Sequence, residues 1–310
     1  MSKIDLHMHS KISTDGEFSP EKLMELCWVS GVKAAAVSDH NSIRGVAAAA
    51  AAAKKMDIEL IAAVELDCHI DGTNLHVLGY GIDIVGSKMV FDKIEQSLKV
   101  QEKTAGIKRL ALVQKLGIFV DKEKVQALAN QGIIEGEMIA EAALEDERNT
   151  ANELLKPFRS GGTRSDNPYV NFYWDICAQG KPAYAHIAYR SLQETVSTIK
   201  AAGGIAVLAH PGNNIGEDEG LLKKIIATGI GGIEVFSSYH TPHQTAFYKR
   251  QAEKYQLLMT AGSDFHGRIK PSIHIGEIDT DGSDEKIYGE LKKAIKVQQI
   301  NEVEIEKHRE

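Results

Sequence analysis

Apolar and polar residues alternate along "KIDLHMHS". Side chains on a strand point alternately to opposite faces, so Ile4, Leu6 and Met8 share one face while Asp5, His7 and His9 share the other. Further short apolar runs predict strands over 34–39, 58–65, 75–80, 205–210, 232–236 and 257–264. Between them lie patterns of helical period over 20–30, 43–56, 191–202, 217–228 and 284–297, with Ser19 placed to cap the first and Pro20 suited to its first turn. The turn signal "DGTN" joins the strands at 58–65 and 75–80 into a hairpin. Strand-then-helix alternation predicts an α/β fold, a barrel of about seven strands.

Between about Ser87 and Pro182 long helical stretches replace the strands. The chain is therefore expected to divide into a barrel built from 1–86 and 183–310 and a mainly helical insertion, 87–182, covering the active-site face; a mere packing appendage is the alternative. The basic exit of this segment, "LLKPFRSGGTRSDNPYV", reads as a mobile loop.

Composition narrows the function. At 310 residues and 43% hydrophobic, the chain can bury a substantial core. A net charge of −7 argues against indiscriminate binding to long duplex nucleic acid, so any nucleic-acid substrate should be small or engaged by its end. Cys27, Cys68 and Cys177 are odd in number and form no CxxC, which suggests core thiols in a reducing compartment. No stretch approaches the ~18 to 20 apolar residues of a membrane span. A cytoplasmic protein is expected, with no obligate protein partner evident.

The polar residues that close the apolar runs then change the picture. Asp39 and His40 end one run, Glu65 the next; His76 lies in the fourth; His210 ends "AHPG" and Asp264 and His266 end "GSDFH". All sit at or near strand ends, on the rim where α/β barrels build their active sites. With His7, His9 and Asp15 they make nine candidate ligands, His7, His9, Asp15, His40, Glu65, His76, His210, Asp264 and His266. Imidazole and carboxylate donors without sulfur suit Zn²⁺, Mn²⁺ or Fe²⁺. One ion takes only ~3 to 6 protein ligands, so nine imply two or three divalent metal ions.

"DLHMHS", "SDH", a Glu after an apolar strand, "AHP" and "SDFH", in this order, resemble the motif set of the PHP (polymerase and histidinol phosphatase) superfamily. The resemblance covers 3–82 and 183–280. The intervening segment is more loosely similar to the subgroup with nucleoside 3′,5′-bisphosphate phosphatases and 5′-end RNA exonucleases. It implies a distorted (β/α)7 TIM-like barrel and phosphoesterase activity. It also implies that His7, His9 and Asp264 bind one metal and Asp15, His40 and His210 a second, with Glu65 bridging and His76 and His266 completing a third. Asp5 and Asp39 are expected behind the ligands, since metal-bound histidines pass their other N–H to a carboxylate or carbonyl. Glu234 reads either as such a carboxylate or as a strand-end charge. His69, His274 and His308 are expected to be surface or structural.

The chemistry expected of such a rim is hydrolysis of a phosphate ester by metal-bound hydroxide, because two divalent ions supply both a nucleophile at neutral pH and charge for the phosphoryl oxygens. Lys181, Arg159, Arg164 and Arg190 are candidate phosphate partners. His240 and His243 are candidates for substrate contact, for protonating a leaving group or for a helix start, and Tyr184 and Tyr239 read as core or rim tyrosines by default, with stacking on a base as the alternative. The expected substrate is a small nucleotide or short oligonucleotide: a nucleoside 3′,5′-bisphosphate, an AMP-like nucleotide or an oligonucleotide 5′ end. Histidinol phosphatase and a non-catalytic metal-binding module are the rival readings.

Overall fold

The computed structural model describes residues 2–307. Its strands are β1 (Ile4–Met8), β2 (Ala34–Val37), β3 (Glu59–Ile70), β4 (Thr73–Tyr80), β5 (Arg190–Ser191), β6 (Ile205–Leu208), β7 (Gly232–Ser237) and β8 (Leu258–Gly262). Seven of them run in the order β1-β2-β3-β4-β6-β7-β8, and the two-residue β5 pairs with β3. Neighbours are parallel except for β4, which is antiparallel to both β3 and β6. The ring is drawn together just beyond β8, where Asp264 N–H donates to His7 O at 2.8 Å and His9 N–H to Phe265 O at 2.9 Å. The result is a nearly closed barrel, as the pattern predicts, distorted as the resemblance implies.

The expected hairpin is present. Asp71 and Gly72 both have positive φ, 49° and 80°, the backbone of the two-residue turn whose twist matches antiparallel strands. β3, however, does not stop at Glu65 but runs on to Ile70, because the pairing with β4 carries it past the barrel rim. Glu65 is thereby an interior strand residue, and Asp67 follows on the same face.

Helices α1 (Pro20–Val29) and α2 (Val46–Lys55) follow β1 and β2. Ser19 caps α1 by accepting from Lys22 N–H at 3.2 Å, with Pro20 in the first turn as its fixed φ favours. Between β4 and β5 every described helix or strand is helical. The 28-residue α3 (Lys88–Lys115) is followed by α4 (Lys122–Leu128), α5 (Gly136–Leu144), α6 (Pro168–Phe172) and a π-turn, Tyr173–Cys177. Phe91, Ile94 and Leu98 in the first half of α3 pack on the barrel core. Leu110 and Val113, in its second half, join a separate core with Ile139, Leu155, Phe158, Phe172 and Ile176. The exit segment is thus folded rather than a free loop, since Leu155 and Phe158 are among the buried residues that hold this core together.

The remaining helices are α7 (Leu192–Ala201), α8 (Pro211–Asn214), α9 (Glu219–Ala227), α10 (Pro242–Tyr255) and α11 (Asp284–Lys307). α10 escapes the apolar pattern because only Phe247, Tyr248, Gln251 and Ala252 turn inward; its start is set instead by a Thr241–Gln244 capping box. Cys27, Cys68 and Cys177 are free and buried. No helix among the described residues is long and apolar enough to cross a membrane.

Candidate metal centre

β1 and the residue after it deliver His7 and His9 to one side, and the loops after β2, β6 and β8 bring His40, His210, Asp264 and His266 to the same place. Glu65 from β3 lies at its centre. Its Oε2 is 3.2 Å from His7 Nε2, 3.1 Å from His9 Nε2 and 3.3 Å from His40 Nδ1, while its Oε1 is 3.2 Å from His210 Nε2 and 3.3 Å from His76 Nδ1. Asp264 Oδ1 stands 3.3 Å from His7 Nε2 and 3.1 Å from His9 Nε2. Asp15 Oδ2 lies 3.2 Å from His266 Nε2. All nine residues converge.

Two backbone conformations show that the convergence is enforced. His210 and Asp264 have φ of 24° and 57°, a region that costs a residue with a Cβ ~1 to 3 kcal/mol and persists where surrounding bonds over-determine it. Here Glu234 Oε2 accepts from His210 N–H at 2.8 Å, and His7 O accepts from Asp264 N–H.

The donor set fits divalent cations. Asp15 Oδ1, His40 Nδ1, Glu65 Oε2, His76 Nδ1 and Asp264 Oδ1 are buried without a hydrogen-bond partner, although such groups rarely go unsatisfied. His7 Nε2 and His9 Nε2 face each other at 3.1 Å, so their lone pairs converge unless one carries a proton. Burial, then the neighbouring His266 and His40, lowers His9 to about 4, which leaves a neutral imidazole at neutral pH. Burial opposes the charge on Glu65, but His7, His76 and His40 outweigh it and hold the carboxyl well below its usual range.

Four overlapping ligand groups result, each with its donor atoms within 4.8 Å of one another: His9, Asp15, His40 and His266; His7, His9, Glu65 and Asp264; His40, Asp67 and His76; and Glu65, His76 and His210. Donors ~2.1 Å from a shared ion stand at most ~4.2 Å apart, so only slight tightening is required. The grouping departs from the one the resemblance implies. His266 rather than His210 stands with Asp15 and His40, because His210 leaves β6 on the far side of Glu65. Asp67 joins the cluster only because β3 extends past the rim, which its sequence position in "ELDCH" does not signal.

The supporting carboxylates also fall differently. His7 Nδ1 meets Glu234 Oε1 at 3.0 Å, so Glu234, buried in β7, is the residue behind His7. Asp5 touches no imidazole; it accepts the N–H groups of Ser263 at 3.0 Å and Gly276 at 2.9 Å and ties the barrel seam. Asp39 reaches His9 only through Ser13, whose Oγ lies 3.0 Å from Asp39 Oδ1 and 3.1 Å from His9 Nδ1. Burial raises both carboxyls to about 6. Lys270, which the sequence reading passed over, is buried with Nζ 2.5 Å from Asp264 Oδ2, and Tyr239 donates to the same oxygen at 2.7 Å. Together they hold Oδ2 and leave Oδ1 for the cluster.

Beside the cluster a cleft of about 740 Å³ opens, walled by Asn74, His76 and Tyr239 of the barrel and by Arg164, Trp174 and Lys181 of the helical segment. Of the residues expected to meet substrate, Lys181 and Arg164 line this cleft, Arg164 with its guanidinium on Asp175 at 3.0 and 3.2 Å. Arg159 does not: it donates to Leu144 O and Asn149 O, closing the turns that precede it. Arg190 faces a groove against α3 and α7. His240 has both ring nitrogens on backbone, Val235 O at 2.9 Å and Gly212 N–H at 3.0 Å, and so braces the His210 loop. His243, in the first turn of α10, is exposed and paired with Glu217 at 2.8 Å. Tyr184 meets His186 at 3.4 Å. His69 pairs across the hairpin with Asn74, exposed His274 lies on the cleft wall, and His308 lies outside the described residues.

The PHP domain family model matches residues 5–159. A 5′-3′ exoribonuclease of Haemophilus influenzae is 31% identical over 267 residues, 85% of this chain and 90% of that protein. The chain belongs to the PHP domain family. A phosphoribosyl 1,2-cyclic phosphate 1,2-diphosphodiesterase of Eggerthella lenta is 27% identical, covering 88% of this chain and 97% of that one. A 3′,5′-nucleoside bisphosphate phosphatase of Chromobacterium violaceum is 29% identical, covering 86% and 88%. The PHP chain described here is a phosphoric ester hydrolase, the class that all three relatives share by name.

Proposed function

We propose that this PHP protein is a divalent-metal-dependent phosphoesterase that acts on a small nucleotide: a nucleoside 3′,5′-bisphosphate, an AMP-like nucleotide or the 5′ end of a short oligonucleotide. The observation that carries the reading is the pairing of the buried histidine–carboxylate cluster with a cleft of about 740 Å³, far larger than a lone phosphate needs and walled by helical segment and barrel together. The exoribonuclease and bisphosphate phosphatase among the relatives support the same choice.

His7, His9, Glu65 and Asp264 would hold one ion; Asp15, His40 and His266, with His9, a second; Glu65, His76 and His210 offer a place for a third. Bound there, Mn²⁺, Zn²⁺ or Fe²⁺ would supply positive charge to the phosphoryl oxygens and acidify a water for attack. The chain's own part is orientation. Glu234 fixes the His7 ring and the His210 backbone, and Lys270 and Tyr239 fix Asp264. Lys181, exposed and without a carboxylate partner among the described residues, offers the cleft a free cation for a second phosphate, whereas Arg164 shares its charge with Asp175.

The test is phosphate release by Mn²⁺-reconstituted protein from adenosine 3′,5′-bisphosphate, AMP, a 5′-phosphorylated dinucleotide, phosphoribosyl 1,2-cyclic phosphate, histidinol phosphate and an aryl phosphate. Preference for the nucleotides is the expected result. Selective turnover of the cyclic sugar phosphate or of histidinol phosphate would overturn the substrate assignment.

A further inference from the structure

Trp174 is a large apolar ring placed where no core requires it. It sits in the π-turn Tyr173–Cys177, a rare backbone form concentrated at functional sites. The adjoining residues behave as core: Phe172, Ile176 and Cys177 are buried in the second hydrophobic cluster and Tyr173 packs against it. Trp174 belongs to none of the three clusters, yet it is only partly exposed. What it lines is the wall of the 740 Å³ cleft and, with Tyr239, the smaller cavity that six of the nine candidate ligands, His76 among them, also line. Tyr173 meets its ring edge-on, with centroids 5.4 Å apart and planes at 74°. Tyr173 borders both cavities too, but it also packs against the second core, which Trp174 does not.

We propose that Trp174 is the platform on which the nucleobase stacks while the phosphate occupies the cluster, so that the site selects esters carrying an aromatic base over bare sugar phosphates. The inference rests on the nucleotide reading above and names the residue that would enforce it. Stacking uses the face that every base presents, and is therefore tolerant of base identity. Three of the lining amides are already spent, Asn167 on Ser272 N–H, Asn171 on Asp166 and Arg164 O, and Gln179 on Gly72 O and Asn74 N–H, while Asn74 and Asn213 line the cleft as well. Selection by ring over no ring, with little discrimination between purine and pyrimidine, is the expected pattern.

The chain has two tryptophans, Trp174 and Trp28, and Trp28 stands 60% exposed on α1, outside both cavities. A Trp28→Phe protein therefore reports Trp174 alone. Titrated in its metal-loaded form with AMP and with ribose 5-phosphate, its emission should be quenched by AMP and unchanged by the sugar phosphate. Trp174→Ala should lose roughly 5- to 100-fold in kcat/KM toward nucleotides, mostly through KM, and little toward base-free esters. Trp174→Phe should retain most of the activity, which separates loss of the ring from loss of the fold. Nucleotide turnover undiminished in Trp174→Ala, or AMP hydrolysed with no change in Trp174 emission, would overturn the platform and leave the nucleotide reading standing. Failure of wild-type protein to bind or hydrolyse any nucleotide, with base-free esters turned over, would overturn both.

Discussion

At Gly262 the backbone of β8 passes so close to the cluster that a Cβ would lie 2.6 Å from Glu234 Oε1 and collide with His7 Cβ. The space the ligands need is therefore written into a residue with no side chain. Gly262→Ala should push His7 off Glu234 and weaken divalent-metal binding by at least about tenfold, the usual scale for disturbing the groups that orient ligands; calorimetric titration with Mn²⁺ checks it. Glu234→Gln preserves the volume but removes the charge that holds His7 Nδ1, and metal affinity should fall about 10- to 100-fold with the fold intact by circular dichroism. Unchanged affinity in both variants would show that His7 needs no such brace. Most of the candidate ligands were legible as residue types at or near the ends of apolar runs. Of their partners, Glu234 stayed open between a supporting carboxylate and a strand-end charge, because only folding brings β7 to His7, while Asp67 and Lys270 went unread because neither closes an apolar run. His240 misled for the opposite reason: its chemistry suited substrate, but both of its nitrogens are spent on backbone.

Among the elements, α5 places Glu137 under the helical segment, buried beside Asp15 and Glu135. Burial, then the charges of those two carboxylates, raises it from 4.5 to about 8. Below about 4.5 both folded and unfolded chains carry the proton, and the group costs nothing. As pH rises the unfolded chain ionises first, so stability falls, and the cost is complete above about 8. Glu137→Gln should therefore be more stable than wild type at pH 9, by on the order of 4 kcal/mol, with little difference at pH 5. Urea unfolding at the two pH values checks it, and an equal gain at both would contradict the burial argument. The helical segment depends equally on its own core. Phe172→Ala, emptying a fully buried site, should cost about 3 to 5 kcal/mol in the same assay. Helical period and turn chemistry announced most of these elements. The extension of β3 and the folding of 153–165 did not show, since one is driven by cross-strand pairing and the other by two buried apolar residues in a polar stretch.

At the scale of the whole molecule, the barrel supplies the candidate ligands and the helical segment supplies a wall, and one set of bonds between them runs through the loop that carries Asp15. Thr14 Oγ1 donates to Glu135 at 2.7 Å, and Asn130 donates to Lys11 O and Ser13 O at 3.2 Å each. The sequence showed that a helical segment interrupts the barrel, but not that it grips this loop, because the gripping groups are ordinary surface-type side chains. The central claim remains the cation site. The most direct measurement is phosphate release from adenosine 3′,5′-bisphosphate by chelator-stripped protein as Mn²⁺ is added back, with bound metal counted in the same samples. The account predicts no turnover without metal, and a rise that tracks two to three ions bound per chain. Full turnover by the stripped protein, or a filled site with no release of phosphate from this or any other ester, would contradict it.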